Sequence, residues 1–154
     1  MSRFHGWTLD AIVRRNGQRF PHKSAIIRQS QVLTWQQFDR RVDRVAHALR
    51  ASGLRPGDRI ALLMRNCPEY LELYFGIARA GMIAVPLNYR LTAAEMAAIL
   101  GGAQPSLLVV AEEHRPVSQI LGQLVPGLSR HWVVGVAAGS YEAALSAAPA
   151  DGYP

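Results

Sequence analysis

The stretch PGDRIALLMRNCPEYLELYFGIARAGMIAVPL, residues 56–87, decides the fold. It holds two short apolar runs of strand length, Ile60–Met64 and Ile83–Leu87. The segment between them has helix signals, with Pro68 at a first-turn position and Gly81 at the end. A buried strand, a helix and a second buried strand form one βαβ unit, in which the two strands are parallel.

The same alternation continues towards the C-terminus. Leu107–Val110 and Trp132–Val136 are two more apolar runs. Thr92 and Glu95 have the spacing of a capping box that opens a helix between the second and third runs. Strands that are apolar throughout and alternate with helices are typical of a parallel sheet covered on both faces. We therefore predict an α/β fold, a doubly wound, mostly parallel sheet with helices on both faces. Weaker helix signals cover Pro116–Leu124 and Tyr141–Ala147.

A smaller unit precedes this pattern. Leu9–Arg15 predicts a short helix that is stopped by Gly17 and by Pro21. Ala25–Arg28 and Val32–Thr34 predict a small β-hairpin. A capping box that begins at Thr34 then predicts a longer helix, because the apolar residues after it recur at helical intervals. The charged residues of that helix are predicted to lie away from its apolar face: Arg40, Arg41, Asp43, Arg44 and Arg50.

Length and composition limit the possible classes of protein. A chain of 154 residues suits one domain, and 49% hydrophobic with 18% charged residues is typical of a globular protein rather than a disordered one. The lone cysteine, Cys67, excludes an internal disulfide and favours a reducing, cytoplasmic setting. No apolar run in the sequence has the length that a transmembrane helix needs.

The net charge of +6 is unevenly distributed. Residues 1–59 hold twelve Lys and Arg against four Asp and Glu. A basic face is one interpretation, with nucleic acid or a phosphorylated ligand as its partner. Because the arginines are scattered and no nucleic-acid-binding motif is present, the pattern favours the other interpretation, a solvated arginine-rich surface. Nucleic acid is therefore not an expected partner.

Common catalytic and metal-binding motifs are absent from the sequence. It has no Walker A loop, no G-x-G-x-x-G and no G-x-S-x-G, and its five histidines show no metal-ligand spacing. Cys67, before Pro68, has two interpretations, a thiolate activated by a helix N-terminus or a buried bystander thiol. Glu112 and Glu113 also have two, a cation site or a solvated loop. We predict no catalytic residue and no metal ligand from these patterns.

Asn88 and Arg90 are the candidate ligand-binding residues. They follow the run Ile83–Leu87 and precede the capped helix that begins at Thr92. Ligands of parallel α/β sheets bind beyond the carboxyl ends of the strands, and a guanidinium pairs with phosphate through two parallel hydrogen bonds. The alternative is structural: Asn88 caps the strand end and Arg90 pairs with an acidic neighbour.

Several ordered motifs together resemble the N-terminal region of the AMP-forming acyl-CoA synthetases. The resemblance extends from about Leu9 to about Gly135. Its segment Val85-Pro-Leu-Asn-Tyr-Arg-Leu91 is similar to the one in the fatty-acyl and aryl branches of the family. The motifs are Leu33-Thr-Trp35, Gly53-Leu-Arg-Pro-Gly-Asp-Arg-Ile-Ala-Leu62, Asn66-Cys-Pro-Glu-Tyr70, Ala80-Gly-Met-Ile-Ala-Val-Pro-Leu-Asn-Tyr-Arg-Leu91 and Glu95.

The resemblance implies a two-step ligase. ATP converts a fatty or aryl carboxylate to an acyl-adenylate with loss of pyrophosphate, and the thiol of coenzyme A then displaces AMP. Such enzymes use ATP, Mg²⁺ and coenzyme A, and they carry a Ser/Thr/Gly-rich loop ending in Pro-Lys and a mobile C-terminal domain with a lysine. Neither is present here, and the only lysine, Lys23, matches no such position.

We therefore expect residues 1–154 to be a single α/β segment, the N-terminal portion of an AMP-binding domain, inactive on its own. In the complete enzyme Asn88 and Arg90 would face the nucleotide or coenzyme A cleft. The alternative is a standalone α/β module that binds a nucleotide or coenzyme A without catalysis. We also expect the chain to self-associate through an exposed sheet edge.

Overall fold

A computed structural model describes residues 8–135, 140–150 and 152–154 of the chain. The elements alternate much as the sequence predicts, and Val136, the last residue of the fourth predicted strand, lies outside the described residues. In chain order they are α1 Leu9–Arg19, β1 Ser24–Arg28, β2 Gln31–Thr34, α2 Trp35–Ala51, β3 Arg59–Leu63, α3 Pro68–Arg79, β4 Ile83–Pro86, α4 Ala93–Ala103, β5 Leu107–Ala111, a 3₁₀ turn Glu112–His114, α5 Arg115–Leu124, β6 His131–Val134 and α6 Ser140–Ser146.

The main sheet has four parallel strands in the order β4-β3-β5-β6. The chain passes outward from β3 to β4 and then returns to the other side of β3 to form β5. Right-handed connections that run in opposite directions along a sheet place their helices on opposite faces. The sheet is therefore doubly wound, as predicted, and its direction changes between β3 and β5.

The residues of β3 alternate between two cores, one on each face of the sheet. Ile60 and Leu62 pack with residues of α2, α3 and α6. Ala61 and Leu63 pack with residues of α4 and α5. All four side chains are fully buried. Burial on both faces explains why the strands are apolar throughout.

Both predicted capping boxes are confirmed. The Thr34 hydroxyl accepts a hydrogen bond from the Gln37 N–H at 3.2 Å, and Gln37 Oε1 accepts one from the Thr34 N–H at 2.9 Å. Thr92 and Glu95 make the same exchange at the start of α4, at 3.3 and 2.8 Å. Each box satisfies two N–H groups that have no partner within the helix.

Of the two predicted stops of α1, Gly17 is wrong, because the helix continues through it to Arg19 and ends just before Pro21. Gly17 lies against α2, where a Cβ would sit 3.1 Å from Oδ2 of Asp39 and 3.2 Å from its Cβ. The missing side chain lets α1 approach α2 closely, and a glycine costs a helix interior only about 1 kcal/mol.

The predicted β-hairpin is confirmed as the antiparallel pair of β1 and β2.

Arg79 holds the first three helices together. Its side chain is fully buried in α3, and its guanidinium contacts Asp10 of α1 and, at 2.6 and 2.7 Å, Asp39 and Asp43 of α2. Asp43, which the sequence places away from the apolar face of α2, is only 6% exposed because it pairs with the buried Arg79. Burial raises the pKa of Asp43, although the charge of Arg79 opposes this shift.

Arg41 forms a second ion network, which fixes α6. Its guanidinium makes two hydrogen bonds to Glu72 of α3, at 2.9 and 2.7 Å, and two to Glu142 of α6, at 3.0 and 2.6 Å. The hydroxyl of Tyr141, a fully buried residue, donates to Glu72 Oε2 at 2.7 Å. Burial raises the pKa of Tyr141 well above its ordinary value, so the phenol remains a donor. Some arginines of residues 1–59 therefore have structural roles. The scattered positions of these arginines had predicted only a solvated surface.

The two edges of the sheet differ. At β6 the backbone N–H of Val133 donates to the hydroxyl of Ser140 at 2.8 Å, so α6 covers part of that edge. At β4 the strand has four residues and includes Pro86, which has no N–H. Self-association through a sheet edge stays a prediction.

Across the described parts of the chain, no helix combines the length and hydropathy needed to cross a membrane.

Candidate functional site

An open cleft of about 550 Å³ lies at the carboxyl ends of β3, β5 and β6. Its lining includes Asn66 and Cys67 after β3, Glu112 after β5, Gly135 after β6, and Arg28 at the end of β1. The helices that follow β3 and β5 pack on opposite faces of the sheet, so their connecting loops diverge and leave a crevice. The cleft is therefore at the topological switch point, the usual position of a ligand site in an open α/β sheet.

Opposite charges balance along the rim of this cleft. Arg65 Nε lies 3.2 Å from Oε1 of Glu113, and Arg115 Nη1 lies 3.1 Å from Oε1 of Glu112. The side chains of both pairs are 39–65% exposed. Exposed pairs of this kind contribute at most about 1 kcal/mol to stability, but they leave neither Arg65 nor Arg115 without a carboxylate partner.

The structure places the predicted ligand-binding residues beside the cleft. Asn88 and Arg90 are exposed, follow β4 directly and lie at the same edge of the sheet as the cleft, outside its lining. Asn88 Oδ1 accepts a hydrogen bond from the Arg90 N–H at 3.0 Å, so the amide stabilises the turn, as the structural alternative proposed. The Arg90 guanidinium lies 5.8 Å from the ring of Tyr89, and among the described residues no carboxylate forms an ion pair with it.

Tyr89 connects that turn to the cleft, and sequence reasoning missed it. Arg65 lies 5.2 Å from its ring centre on the cleft side, and the ring of His114 stacks on it at 5.7 Å and 21°. Cations bind the faces of aromatic rings in this way. The sequence does contain a signal for Tyr89, since it is an aromatic residue between the two predicted ligand-binding residues Asn88 and Arg90 at a strand end.

The environment of Cys67 favours the bystander interpretation over the thiolate interpretation. Its thiol is half-buried, and burial raises its pKa to about 11, although the Tyr70 N–H opposes the shift. The Cys67 side chain also makes no capping hydrogen bond to α3. A thiol with a raised pKa is a poor nucleophile at neutral pH, which agrees with the bystander interpretation.

Candidate metal ligands are engaged elsewhere. Glu113 contacts both Arg65 and, at 3.3 Å, His114, while Glu112 contacts Arg115. Within residues 8–135, 140–150 and 152–154, no three His, Cys, Asp or Glu side chains converge in a way that could hold a metal ion.

A doubly wound α/β layer with a charged cleft at its switch point is typical of the nucleotide-binding classes of protein. A family model described as AMP-binding enzyme matches residues 13–150. The chain belongs to this family of AMP-binding enzymes.

Two of the proteins to which this chain is similar are named as ligases. The fatty acid–[acyl-carrier-protein] ligase ScoC of Streptomyces coeruleorubidus is 39% identical over 120 residues, which are 76% of this chain and 23% of ScoC. The crystal structure of a long-chain-fatty-acid CoA ligase from Rhodopseudomonas palustris, itself described as putative, superposes with a TM-score of 0.86 at 32% identity, over 96% of this chain and 38% of that one.

A third comparison is with a ligase that carries an adenylate. The anthranilate CoA ligase AuaEII, solved in complex with anthranoyl-AMP, superposes with a TM-score of 0.88 at 26% identity, over 94% of this chain and 29% of that one. This chain spans about a quarter of the length of the curated relatives it matches.

Proposed function

We propose that this chain forms the N-terminal part of an ATP-dependent, AMP-forming acid–CoA ligase that activates a fatty or aryl carboxylic acid in the cytoplasm. The proposal rests on one observation above all: the match to the AMP-binding enzyme family extends over residues 13–150, nearly the whole chain. The reaction joins a carboxylate to AMP with loss of pyrophosphate and then transfers the acyl group to the thiol of coenzyme A.

In this proposal Arg90 contacts a phosphate of the nucleotide or of coenzyme A, and Asn88 holds the turn that presents it. Arg90 is exposed, and among the described contacts its guanidinium has only the ring of Tyr89 as a partner. A guanidinium without a carboxylate partner keeps its full charge for an incoming phosphate. Arg65 is less suited to this role because Glu113 already neutralises it.

We assign the remaining parts of the active site to segments of the proposed ligase outside these 154 residues. Mg²⁺ is usually held by one or two carboxylates together with substrate phosphates, and Glu112 and Glu113 are both committed to arginines. The phosphates of ATP also need a loop of backbone amides with a lysine, and this sequence has no Ser/Thr/Gly-rich loop that ends in Pro-Lys. We therefore propose that the 154-residue protein does not catalyse adenylation alone.

Two assays of the purified chain test this proposal. In ATP/pyrophosphate exchange with a panel of fatty and aryl acids, we expect no turnover, and measurable exchange would overturn the proposed inactivity. In calorimetry with ATP, AMP and coenzyme A, we expect no tight binding. Micromolar affinity for one of them, lost in Arg90→Ala, would favour the alternative of a standalone binding module.

Sequencing the gene downstream of the codon for Pro154 tests the ligase assignment itself. We expect the reading frame to continue into a Ser/Thr/Gly-rich loop that ends in Pro-Lys. An immediate stop codon in the genomic sequence would contradict the assignment to a longer ligase.

A further inference from the structure

A small pocket beside α2, outside the cleft described above, is lined mainly by arginines. Its volume is about 280 Å³, and it is lined by Leu33, Ala150 and four residues of α2, namely Gln37, Arg40, Arg41 and Arg44. The four α2 residues have the spacing i, i+3, i+4 and i+7, which places them on one face of the helix. These six residues are called the α2 pocket below.

Two of the three arginines have no anion paired with them. Arg41 is held by Glu72 and Glu142 in its ion network. Among the described residues no carboxylate forms an ion pair with Arg40 or Arg44, and Glu142 acts on Arg44 only through its charge. Like charges four residues apart on a helix repel each other. An anion in the α2 pocket would therefore relieve an unfavourable arrangement.

The donors of this pocket are partly positioned before a ligand binds. Oε1 of Gln37 accepts the Thr34 N–H at 2.9 Å in the capping box, so the amide NH₂ group of the same side chain is left to donate. Arg44 is half-buried, and its Nε atom is buried without a hydrogen-bond partner. A guanidinium that has lost part of its hydration without gaining a partner is stabilised strongly by an anion.

We propose that the α2 pocket binds the phosphate group of a small molecule through Arg40, Arg44 and the Gln37 amide. A phosphomonoester carries about 1.5 to 2 negative charges at neutral pH and three acceptor oxygens, which suits two guanidinium groups better than a single carboxylate does. The pocket has the volume of about nine water molecules, enough for a phosphate and a small part of the molecule that bears it. A nucleic acid strand would need a longer row of unpaired cations.

This phosphate site is separate from the one in the proposed ligase reaction. None of the residues of the α2 pocket lines the cleft at the carboxyl ends of β3, β5 and β6. Ala150 follows α6 in the chain, and Arg41 binds Glu142 of α6. A bound phosphate would therefore lie between α2 and the segment after α6 and would stabilise their packing. The proposal does not depend on the ligase chemistry.

Titration of the 154-residue protein with inorganic phosphate at low ionic strength tests the proposal. Calorimetry should show binding, and phosphate should raise the melting temperature, because a ligand of the folded state stabilises that state. Arg40→Gln and Arg44→Gln should each weaken the binding by about tenfold or more, since each removes a charged hydrogen-bond donor. Circular dichroism verifies that both variants are folded.

Two matched variants and two other anions are the controls. Arg19→Gln removes an exposed arginine of α1, and Arg90→Gln removes the arginine assigned to the ligase site. We expect both variants to bind phosphate like the original chain, and we expect chloride at the same ionic strength to have no such effect.

Four results would overturn the proposal. They are no binding at millimolar phosphate, binding that Arg40→Gln and Arg44→Gln leave intact, binding that Arg90→Gln abolishes, and equally tight binding of acetate. The third result would assign the phosphate to the ligase site. The fourth would assign the α2 pocket to a carboxylate, such as one from a segment beyond Pro154.

Discussion

Gly76 of α3 lies so close to Val45 of α2 that no methyl group fits between them. A Cβ built on Gly76 would be 2.4 Å from Cγ1 of Val45 and 2.5 Å from its Cβ. Val45 is fully buried, so it has no free space into which to move. The separation of the two helices is therefore set by a glycine in the middle of α3.

Gly76→Ala should destabilise the protein by about 2–4 kcal/mol, because overpacking forces the two helices apart. Urea-induced unfolding followed by circular dichroism measures this loss. Gly101→Ala in α4 is the matched control, since nothing lies within 4 Å of a Cβ at Gly101. Alanine there should stabilise the helix by about 0.5–1 kcal/mol. Equal effects of the two substitutions would contradict the close contact with Val45.

Arg79→Met should cost about 3–5 kcal/mol, because it leaves three carboxylates around a buried site without their cation. The same unfolding measurement applies. Arg115→Met, which removes an exposed pair with Glu112, should cost less than about 1 kcal/mol. The loss in Arg79→Met should shrink at acid pH as the Asp43 carboxyl, whose pKa burial raises, takes up a proton. A loss that is small and independent of pH would show that Arg79 does not hold α1, α2 and α3 together.

Acid should release α6 before the rest of the chain. The hydrogen bonds from Arg41 lower the pKa of Glu142, so the folded state binds a proton there less readily than the unfolded state. The stabilisation is present above the ordinary pKa of a glutamate and is lost as the pH falls through the lowered value. Hydrogen exchange, corrected for intrinsic rates, should show falling protection of α6 in acid.

Glu142→Gln is the control for that experiment. It removes the ion pair at every pH, so α6 should already be less protected at neutral pH and should change little on acidification. The burial-raised pKa of Asp43 acts in the opposite sense, because its contribution to stability falls as the pH rises through the raised value. The measurement is therefore made on α6 and not on global unfolding. Parallel acid responses in both proteins would rule out the role of Glu142.

Cys67 should react slowly with Ellman's reagent. With a pKa of about 11 only about one thiol in a thousand is ionised at pH 8. We expect the rate to rise about tenfold for each pH unit up to about pH 10, because the thiolate is the reacting species. The urea-unfolded chain provides the reference rate. A folded-state rate that is already at its plateau near pH 8 would restore the thiolate interpretation.

The sequence predicted the features that depend on neighbouring residues. The capping boxes at Thr34 and Thr92, the apolar strands and their alternation with helices are local patterns, and each was found in the structure. The resemblance to AMP-forming ligases used motifs of the same kind. The turn at Asn88 was also placed correctly at a strand end.

What could not be predicted depends on residues that are distant in the sequence. In the sequence, Gly17 is typical of a helix stop. Only the position of Asp39 against it shows that it instead allows α1 and α2 to pack closely. Asp43 and Arg79 look like surface charges until their pairing across 36 residues is known. The cleft was not predicted as a unit, because it combines loops after β3, β5 and β6 with Arg28 of the hairpin.

The ion network of Arg41 also affects the order in which contacts form while the protein is synthesised on the ribosome. Arg41 is synthesised 101 residues before its partner Glu142, and Glu72 is synthesised 69 residues before Tyr141. Until α6 emerges, the surface of α2 and α3 that it covers is open, and the buried carboxylate of Glu72 lacks one of its donors. Contacts of such long sequence separation form late and slow the folding of a chain. Chaperones that bind nascent chains would therefore have their longest access to the α2–α3 surface.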